Sequence, residues 1–225
     1  MDKIASRQIF DLHGLNVPRS EILYKAAYRA ESSSVNRLGW PQVVKPAQHG
    51  SSIGLSIVTE KKKLKKAINL AFDFDERIII EEYIAGRELT VGILAEKALP
   101  VIEIIPKNYF FDYDAKYHAG VTEYVVPAKI SENTACKVKK AALTAHKLLD
   151  CFGCSRVDII LDKKNTPFVL EVNTIPGLTA TSLLPKAAKC VGKDFKALCL
   201  ELIRLAYDRF DYAHGHPERT ERVEG

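Results

Sequence analysis

Two strand-like segments near the end of the chain, RVDIIL at residues 156–161 and FVLEVN at residues 168–173, carry the residues best suited to chemistry. Side chains alternate between the two faces of a strand. The sets predicted to share a face are Arg156, Asp158 and Ile160 in the first segment and Val169, Glu171 and Asn173 in the second. If the segments pair as a hairpin through DKKNT, Asp158 lies opposite Glu171. Two carboxylates and one amide oxygen then form a patch that core burial does not explain.

Such a patch is suited to binding a cation. Two facing carboxylates repel each other and are costly to hold near a sheet surface, so a positive partner is expected. Oxygen ligands without Cys or His favour Mg²⁺, which takes one or two protein carboxylates and completes its coordination with water and nucleotide phosphate. The alternative is a solvated sheet edge, where Asp158 pairs with Arg156 or with a surface lysine. The spacing alone leaves both interpretations open.

A second candidate site is the stretch KPAQHGSSIGLS at residues 45–56. Lys45 ends a predicted strand and precedes a Ser-Ser-Ile-Gly tip, which together offer a compact charge and backbone and hydroxyl donors to a polyphosphate. The stretch is not a P-loop, because GxxxxGK[ST] is absent and the lysine precedes the glycines. A Gly-Ser tip by itself is most often an ordinary hairpin turn.

Two further motifs are interpreted as structural. Cys151 and Cys154 form a CxxC with no second pair, which favours packed cysteines over a zinc or redox site. The basic run EKKKLKK at residues 60–66 is interpreted as the solvated start of a helix, because the rest of the chain mixes both signs of charge. Nucleic-acid binding is therefore not expected.

Composition limits the class of protein. The 225 residues carry a net charge of +5 and 47% hydrophobic side chains, enough to bury a core in one or two domains. Charge or Pro interrupts every apolar run well before the roughly 20 residues that a membrane span needs. No charged-then-apolar leader follows Met1, and the five cysteines are scattered. A globular cytoplasmic protein without membrane association is expected.

The elements that must position these residues are predicted from periodicity and turn signals. Predicted helices cover residues 1–12, the stretch between Tyr24 and Leu38, and residues 60–74, 132–149, 183–190 and 194–210. Predicted strands cover residues 21–24, 41–46, 55–59, 77–84, 90–96, 99–106 and 122–128, besides the two segments above. Residues 107–120 fit neither period and are predicted to form a functional loop. Because strands come in groups between helices, we predict an α+β fold of two layered subdomains, joined near Tyr83–Gly86.

An ordered set of motifs resembles the ATP-grasp portion of D-alanine–D-alanine ligases. These motifs are MDK, VVKPAQHGSSIGLS, IIIEEYIAGRELTVGIL, DYDAKY, GCSRVDIIL and VLEVNTIPGLTATSLLPKAA, and the resemblance covers about residues 1–207. It implies two α+β subdomains that grip ATP between their sheets. The implied division is a central subdomain at 1–84 with its glycine/serine loop at 47–54, a C-terminal subdomain at 85–210 with the metal and substrate site, and a flexible tail at 211–225.

The resemblance also implies a nucleotide site. Lys3 and Lys45 match residues that contact ATP phosphates, and Ser51, Ser52 and Gly54 match the loop that covers them. The strand that meets adenine through its backbone would comprise Glu81, Glu82, Tyr83 and Ile84. Tyr83 and Phe110 would flank the ring, and Glu88 would lie at the ribose.

The remaining matched positions imply the catalytic and substrate groups. Asp158, Glu171 and Asn173 match the ligands of two Mg²⁺ ions, with Mn²⁺ as an alternative metal. Lys116 and Tyr117 match the loop that closes on phosphates and substrate. Arg156 and the N–H of Gly177 match the pair that stabilises an oxyanion, and Ser182 and Leu183 match the carboxylate site of the second D-alanine.

The implied reaction joins two D-alanine molecules through an acyl phosphate, for peptidoglycan precursor synthesis. The family carries a further N-terminal lobe to which no residue of this chain matches, so a separate lobe or self-association as a homodimer is expected. Two alternatives remain open: another carboxylate–amine ligase on the same fold, and a non-catalytic ATP-binding protein. The joint presence of Lys45, Asp158, Glu171 and Asn173 argues against the non-catalytic alternative.

Overall fold

The computed structural model describes residues 2–28, 37–50, 52–106 and 122–213, with side chains through residue 208. In these ranges the chain forms two antiparallel sheets with helices packed on them. The α+β class predicted from the sequence is confirmed. No helix of the described ranges is long and apolar enough to cross a bilayer.

The first sheet has four strands in the order β1-β4-β2-β3. They are β1 (Ser20–Tyr24), β2 (Gln42–Pro46), β3 (Ser56–Val58) and β4 (Arg77–Glu82). As predicted, β2 and β3 form the antiparallel hairpin whose connection carries the glycine/serine loop. Helix α2 (Lys61–Phe72) covers one face, where Ile68 and Phe72 pack on Val44, Ile78 and Ile80.

The second sheet has the order β10-β9-β5-β7-β8, with β6 added to β5. Its strands are β5 (Gly86–Leu94), β6 (Lys97–Ala98), β7 (Ile102–Pro106), β8 (Thr122–Val125), β9 (Cys154–Asp162) and β10 (Pro167–Asn173). Helix α3 (Glu132–Leu148) packs on one face, and α4 (Leu183–Cys190), followed by α5 (Phe195–Ala213), packs on the other. Alternation along β5 serves both faces, since Val91 and Ile93 pack towards α3 and Leu94 towards α4.

Helix α1 (Lys3–Leu12) lies between the two sheets. Its N-cap is Asp2, whose carboxylate accepts hydrogen bonds from the N–H groups of Ile4 and Ala5 and also binds Arg77 of β4. Near its start Ile4 packs in a cluster with Ala47 and Ile79 of the first sheet. Near its end Phe10 is 1% exposed and packs in the core of the second sheet. The helix therefore ties the two cores together.

One face assignment made from the sequence is wrong. The β9–β10 register shifts between Val169 and Glu171, so that Val169 pairs with Ile159 and Glu171 with Asp158. Leu170 is thus the extra residue of a β-bulge. Val169 and Val172 both face the core, at 1% and 0% exposure. Val169 therefore does not share the face of Glu171, because the bulge interrupts the alternation on which the prediction rested.

Two other expectations have different outcomes. Within the stretch between Tyr24 and Leu38, where a helix was predicted, the structure describes a 3₁₀ turn at Lys25–Ala27 followed by extended backbone at Tyr28. Residues 29–36 lie outside the described ranges, as does the predicted loop at 107–120. Cys151 and Cys154 are free thiols packed against the cores on either side of the second sheet, as predicted. Burial raises the pKa of both thiols.

Candidate active site

The carboxylate patch predicted from the sequence is present on the β9–β10 hairpin. Asp158 is directly opposite Glu171, and Asn173 is opposite Arg156. The Asp158 carboxylate is held by Arg156, whose Nε and Nη2 lie 3.0 and 2.8 Å from Oδ1 and Oδ2. Thr90 of β5 donates its hydroxyl to the same Oδ1 at 2.6 Å. The ion pair left open as an alternative and the carboxylate patch therefore exist together.

Asn173 and Glu171 supply the other oxygen donors of the patch. The Asn173 side-chain oxygen accepts the Ile175 N–H at 3.1 Å. Glu171 Oε2 lies 3.5 Å from the Lys3 ammonium. Asp158, Glu171 and Asn173 thus present two carboxylates and an amide oxygen, a donor set that fits Mg²⁺. Across the described ranges, no group of three or more His, Cys, Asp or Glu side chains forms an alternative metal cluster.

A buried charge cluster lies on the first sheet beside this patch. Lys45 of β2 and Glu81 of β4 are diagonal neighbours on one face of paired strands, and their side chains form an ion pair. Arg7 of α1 approaches the same carboxylate, with Nη2 3.0 Å from Glu81 Oε1. Lys3, one turn earlier on α1, connects the cluster to Glu171. These four residues, although charged, are each less than one-tenth exposed.

The electrostatics of the cluster favour an anionic ligand. Burial alone would raise the pKa of Glu81, but the charges of Lys45 and Arg7 outweigh it and hold that pKa below its ordinary value. Burial lowers the pKa of Lys3, and Lys45 adds to this effect while Glu171 opposes it. Three cations here meet two carboxylates, so the region retains positive charge. Such a site is complementary to a polyphosphate.

The glycine/serine loop is attached to this cluster. The Lys3 ammonium donates to the His49 carbonyl at 2.5 Å, and the Lys3 N–H donates to Ala47. Ser52 and Gly54 adopt positive φ values of 56° and 69°. A Cβ on Gly54 would lie 2.7 Å from the Phe74 ring, so the chain there requires glycine. Ser51, also assigned to this loop, lies outside the described residues.

The residues predicted to meet adenine lie at the end of β4 and in the connection to β5. The Glu82 carboxylate pairs with Arg19, and the Tyr83 N–H donates to the Pro41 carbonyl at 3.1 Å. Ile84 follows in the same connection. Glu88 lies on β5, next to Ile160 of β9 and Ile104 of β7. These positions place the predicted contacts where the chain passes from one sheet to the other, while Phe110 is outside the described ranges.

The predicted second-substrate site is at the start of α4. Ser182 is the N-cap residue, and its hydroxyl lies 2.8 Å from the Thr179 hydroxyl and accepts the Thr179 N–H. A Cβ on Gly177 would lie 3.0 Å from Ser182 Oγ, so the two predicted residues are adjacent. Leu183 opens the helix and packs in the α4 core. Lys116 and Tyr117 fall outside the described residues.

A protein-family model described as "D-ala D-ala ligase C-terminus" matches residues 9–204. The chain belongs to the D-alanine–D-alanine ligase family. Among curated relatives, the D-alanine–D-alanine ligase of Halalkalibacterium halodurans is 42% identical over 92% of this chain and 69% of its own length. That of Pelotomaculum thermopropionicum is 40% identical over 92% of this chain and 68% of its own length.

Solved structures of the family have the same fold. The D-alanine–D-alanine ligase from Bacillus anthracis superposes with a TM-score of 0.85 at 35% identity, covering 94% of this chain and 69% of that one. The VanG D-Ala:D-Ser ligase from Enterococcus faecalis superposes with a TM-score of 0.82 at 34% identity, covering 91% of this chain and 61% of that one. The ATP-grasp fold expected for the family is thereby confirmed.

Two residues that contact the predicted site residues are not predicted from the sequence. Arg7 enters the buried cluster from α1, where its spacing of four residues from Lys3 was the available signal. Thr90 contacts Asp158 from β5, and nothing in the sequence indicates that β5 lies beside β9. Both contacts depend on long-range pairing.

Proposed function

We propose that the chain catalyses the ATP-dependent ligation of two D-alanine molecules to D-alanyl-D-alanine, for peptidoglycan precursor synthesis. The observation that carries the proposal is the contact between two charged groups of opposite character. The Lys3 ammonium joins the buried cationic cluster of the first sheet to Glu171 of the carboxylate patch, at 3.5 Å. A triphosphate and its metal ions need these two features side by side.

The nucleotide contacts are assigned by combining this geometry with family membership. Lys3 and Lys45 would bind ATP phosphates, under a cover formed by Ser51, Ser52 and Gly54. Asp158, Glu171 and Asn173 would hold two Mg²⁺ ions, or Mn²⁺, which neutralise phosphate charge during transfer when they are bound. Adenine and ribose would contact Glu81, Glu82, Tyr83, Ile84, Glu88 and Phe110.

The chemistry then has two steps. The carboxylate of the first D-alanine attacks the γ-phosphorus of ATP, the bond to the bridging oxygen breaks, and ADP leaves. The amine of the second D-alanine attacks the acyl phosphate, loses a proton and expels phosphate. Attack of the amine gives a tetrahedral intermediate with an oxyanion, to which Arg156 and the Gly177 N–H would donate hydrogen bonds before phosphate leaves. Each such donor typically lowers the barrier by about 3 kcal/mol.

The remaining assignments concern orientation and water exclusion. Ser182 and the backbone of Leu183 would hold the carboxylate of the second D-alanine at the start of α4. Lys116 and Tyr117 would close over the phosphates and keep water from the acyl phosphate. We place the subdomain boundary between residues 84 and 85 and the reaction in the cytoplasm. The tail predicted from residue 211 starts too early, because α5 extends through Ala213.

A phosphate-release assay with ATP, Mg²⁺ and D-alanine tests the function. Release that depends on D-alanine, and not on L-alanine alone, is the expected result. D-serine and D-lactate are added as second substrates beside D-alanine, because the chain also resembles a D-Ala:D-Ser ligase. Thin-layer or mass-spectrometric detection of the dipeptide identifies the product. Release with an unrelated carboxylate and amine instead would assign a different ligase reaction.

Because the chain spans 69% and 68% of the lengths of two curated relatives, the assay includes a partner arm. We propose that a separately supplied N-terminal lobe completes the first D-alanine site, with self-association as a homodimer as the alternative. The corresponding N-terminal segment of the Halalkalibacterium halodurans relative is added in trans, and sedimentation reports self-association. Absence of D-alanine-dependent release both with and without that segment would refute the proposed function.

A further inference from the structure

The cluster at the centre of the first sheet contains one carboxylate and two cations that contact the same oxygen. Glu81 Oε1 lies 3.0 Å from Arg7 Nη2 and also contacts the Lys45 ammonium. Glu81 is 2% exposed, Arg7 7% and Lys45 8%. Arg7 is anchored on its other side by a 2.7 Å hydrogen bond from Nη1 to the Pro18 carbonyl.

The charges of this trio sum to +1, because Arg7 and Lys45 contribute two positive charges and Glu81 one negative charge. An arginine keeps its proton in a protein, so its share of the sum is permanent. Without Arg7 the trio would be a neutral Lys45–Glu81 pair. A buried ammonium whose charge is matched by a carboxylate has little attraction left for a phosphate.

We propose that Arg7 is a positioning residue that occupies Glu81 and thereby leaves the charge of Lys45 available to the triphosphate of ATP. This inference rests on the proposed function, in which Lys45 binds an ATP phosphate. It explains why a second buried cation, Arg7, contacts Glu81, the carboxylate that pairs with Lys45. Arg7 itself acts through Glu81 and Lys45.

A purely structural role for Arg7 makes a different prediction. The bond to Pro18 ties α1 to the segment before β1, and losing it would lower stability without distinguishing between ligands. A charge role should affect ligands that carry phosphates and spare those that do not. It should also respond to the charge at Glu81, which the bond to Pro18 does not.

The test is the affinity of the full chain for MgATP and for adenosine, measured by isothermal titration calorimetry. Arg7→Met is expected to weaken MgATP binding about tenfold and to leave adenosine binding unchanged. The reason is the loss of one positive charge whose interaction with the phosphates is partly screened. Arg19→Met is the matched control. It removes an arginine that pairs with Glu82, the next residue of β4, but at an exposed position, so MgATP affinity should not change.

The decisive variant is Arg7→Met combined with Glu81→Gln, which restores the sum of +1 through Lys45 alone. The substitution at Glu81 changes only the side chain, whereas the adenine contact proposed for this residue is through its backbone. MgATP affinity close to that of the unmodified chain supports the charge role, and a loss as large as in Arg7→Met overturns it. Equal MgATP affinity in Arg7→Met and the unmodified chain also overturns it. If circular dichroism shows that Arg7→Met does not fold, the double variant alone decides.

Failure of this inference is separable from failure of the proposed function. If the unmodified chain binds no MgATP, the proposed function falls and the role of Arg7 falls with it. If the unmodified chain binds MgATP and the variants do not follow the charge sum, only the role of Arg7 is refuted.

Discussion

Asp158 is held by three hydrogen bonds, two from Arg156 and one from Thr90. These bonds fix the carboxylate at the position where the adjoining Glu171 and Asn173 present their own oxygens. A carboxylate that is already oriented loses little conformational entropy when it takes a metal ligand role. The side chain is therefore prepared for binding by groups of the chain itself.

Replacing the Asp158 carboxylate should abolish the increase in the free energy of unfolding that MgATP gives. At a hundredfold excess over its dissociation constant, a ligand raises the free energy of unfolding by about 2.7 kcal/mol. We expect this increment in the unmodified chain and in Asp11→Ala, an exposed control on α1. In Asp158→Ala and in Glu171→Ala the increment should disappear. Calorimetric unfolding with and without MgATP measures it, and an increment that persists would reject the metal assignment.

Glu81 predicts how stability depends on pH. Its pKa in the folded chain is below the ordinary value of 4.5, so folding favours the ionised form. The contribution is present above about pH 4.5 and is lost as the pH falls through the lower, folded pKa. Urea unfolding from pH 7 to pH 3 should show the stability gap between the unmodified chain and Glu81→Gln narrowing at the acid end. Parallel curves would contradict this account.

At this scale the sequence predicts some contacts and not others. Asp158 could be placed opposite Glu171 because a short polar turn joins two strands of known alternation. Arg7 could not be placed against Glu81, because burial of an arginine is rare and the two residues lie on elements that are distant in sequence. The chemistry that a side chain can support is predictable from its neighbours in sequence, whereas the partner of a charged side chain depends on the tertiary fold.

The glycine/serine loop shows how an element can depend on one backbone position. Gly54→Ala would place a methyl group 2.7 Å from the Phe74 ring and 2.9 Å from Pro46, at a φ of 69°. We expect a loss of about 1–3 kcal/mol in the free energy of unfolding, from strain and overpacking.

Gly50→Ala is the matched control in the same loop. A Cβ there meets nothing within 4 Å, so stability should change by no more than about 0.5 kcal/mol. Urea denaturation compares the two variants. Equal effects would mean that the contact with Phe74 does not constrain the loop.

Element boundaries were predictable where periodicity was strong. Helix α4 begins and ends at the predicted residues, Leu183 and Cys190, and the β2–β3 and β9–β10 hairpins are present. The bulge at Leu170 was not predictable, because the three consecutive apolar residues Phe168, Val169 and Leu170 do not indicate which of them lacks a partner on β9.

At the scale of the whole molecule, α1 joins the two sheets. Phe10→Ala removes a side chain that is 1% exposed in the core of the second sheet, and we expect a loss of about 3–5 kcal/mol in the free energy of unfolding. Leu12→Ala changes a residue of the same helix that is 83% exposed, and should cost less than about 0.5 kcal/mol. Chemical denaturation followed by circular dichroism measures both. A small effect of Phe10→Ala would show that α1 does not contribute to the second core.

Helix α1 also couples the position of one sheet to that of the other, because it packs in the core of each. Lys3 stands at one end, on the charge cluster, and Phe10 is seated at the other, about 10 Å away at 1.5 Å per residue. The first sheet cannot tilt against the second without moving the ammonium of Lys3 relative to Glu171. A ligand that immobilises Lys3 would therefore restrict movement of one sheet relative to the other, and slower amide exchange in the β9–β10 hairpin would report binding at the phosphate site.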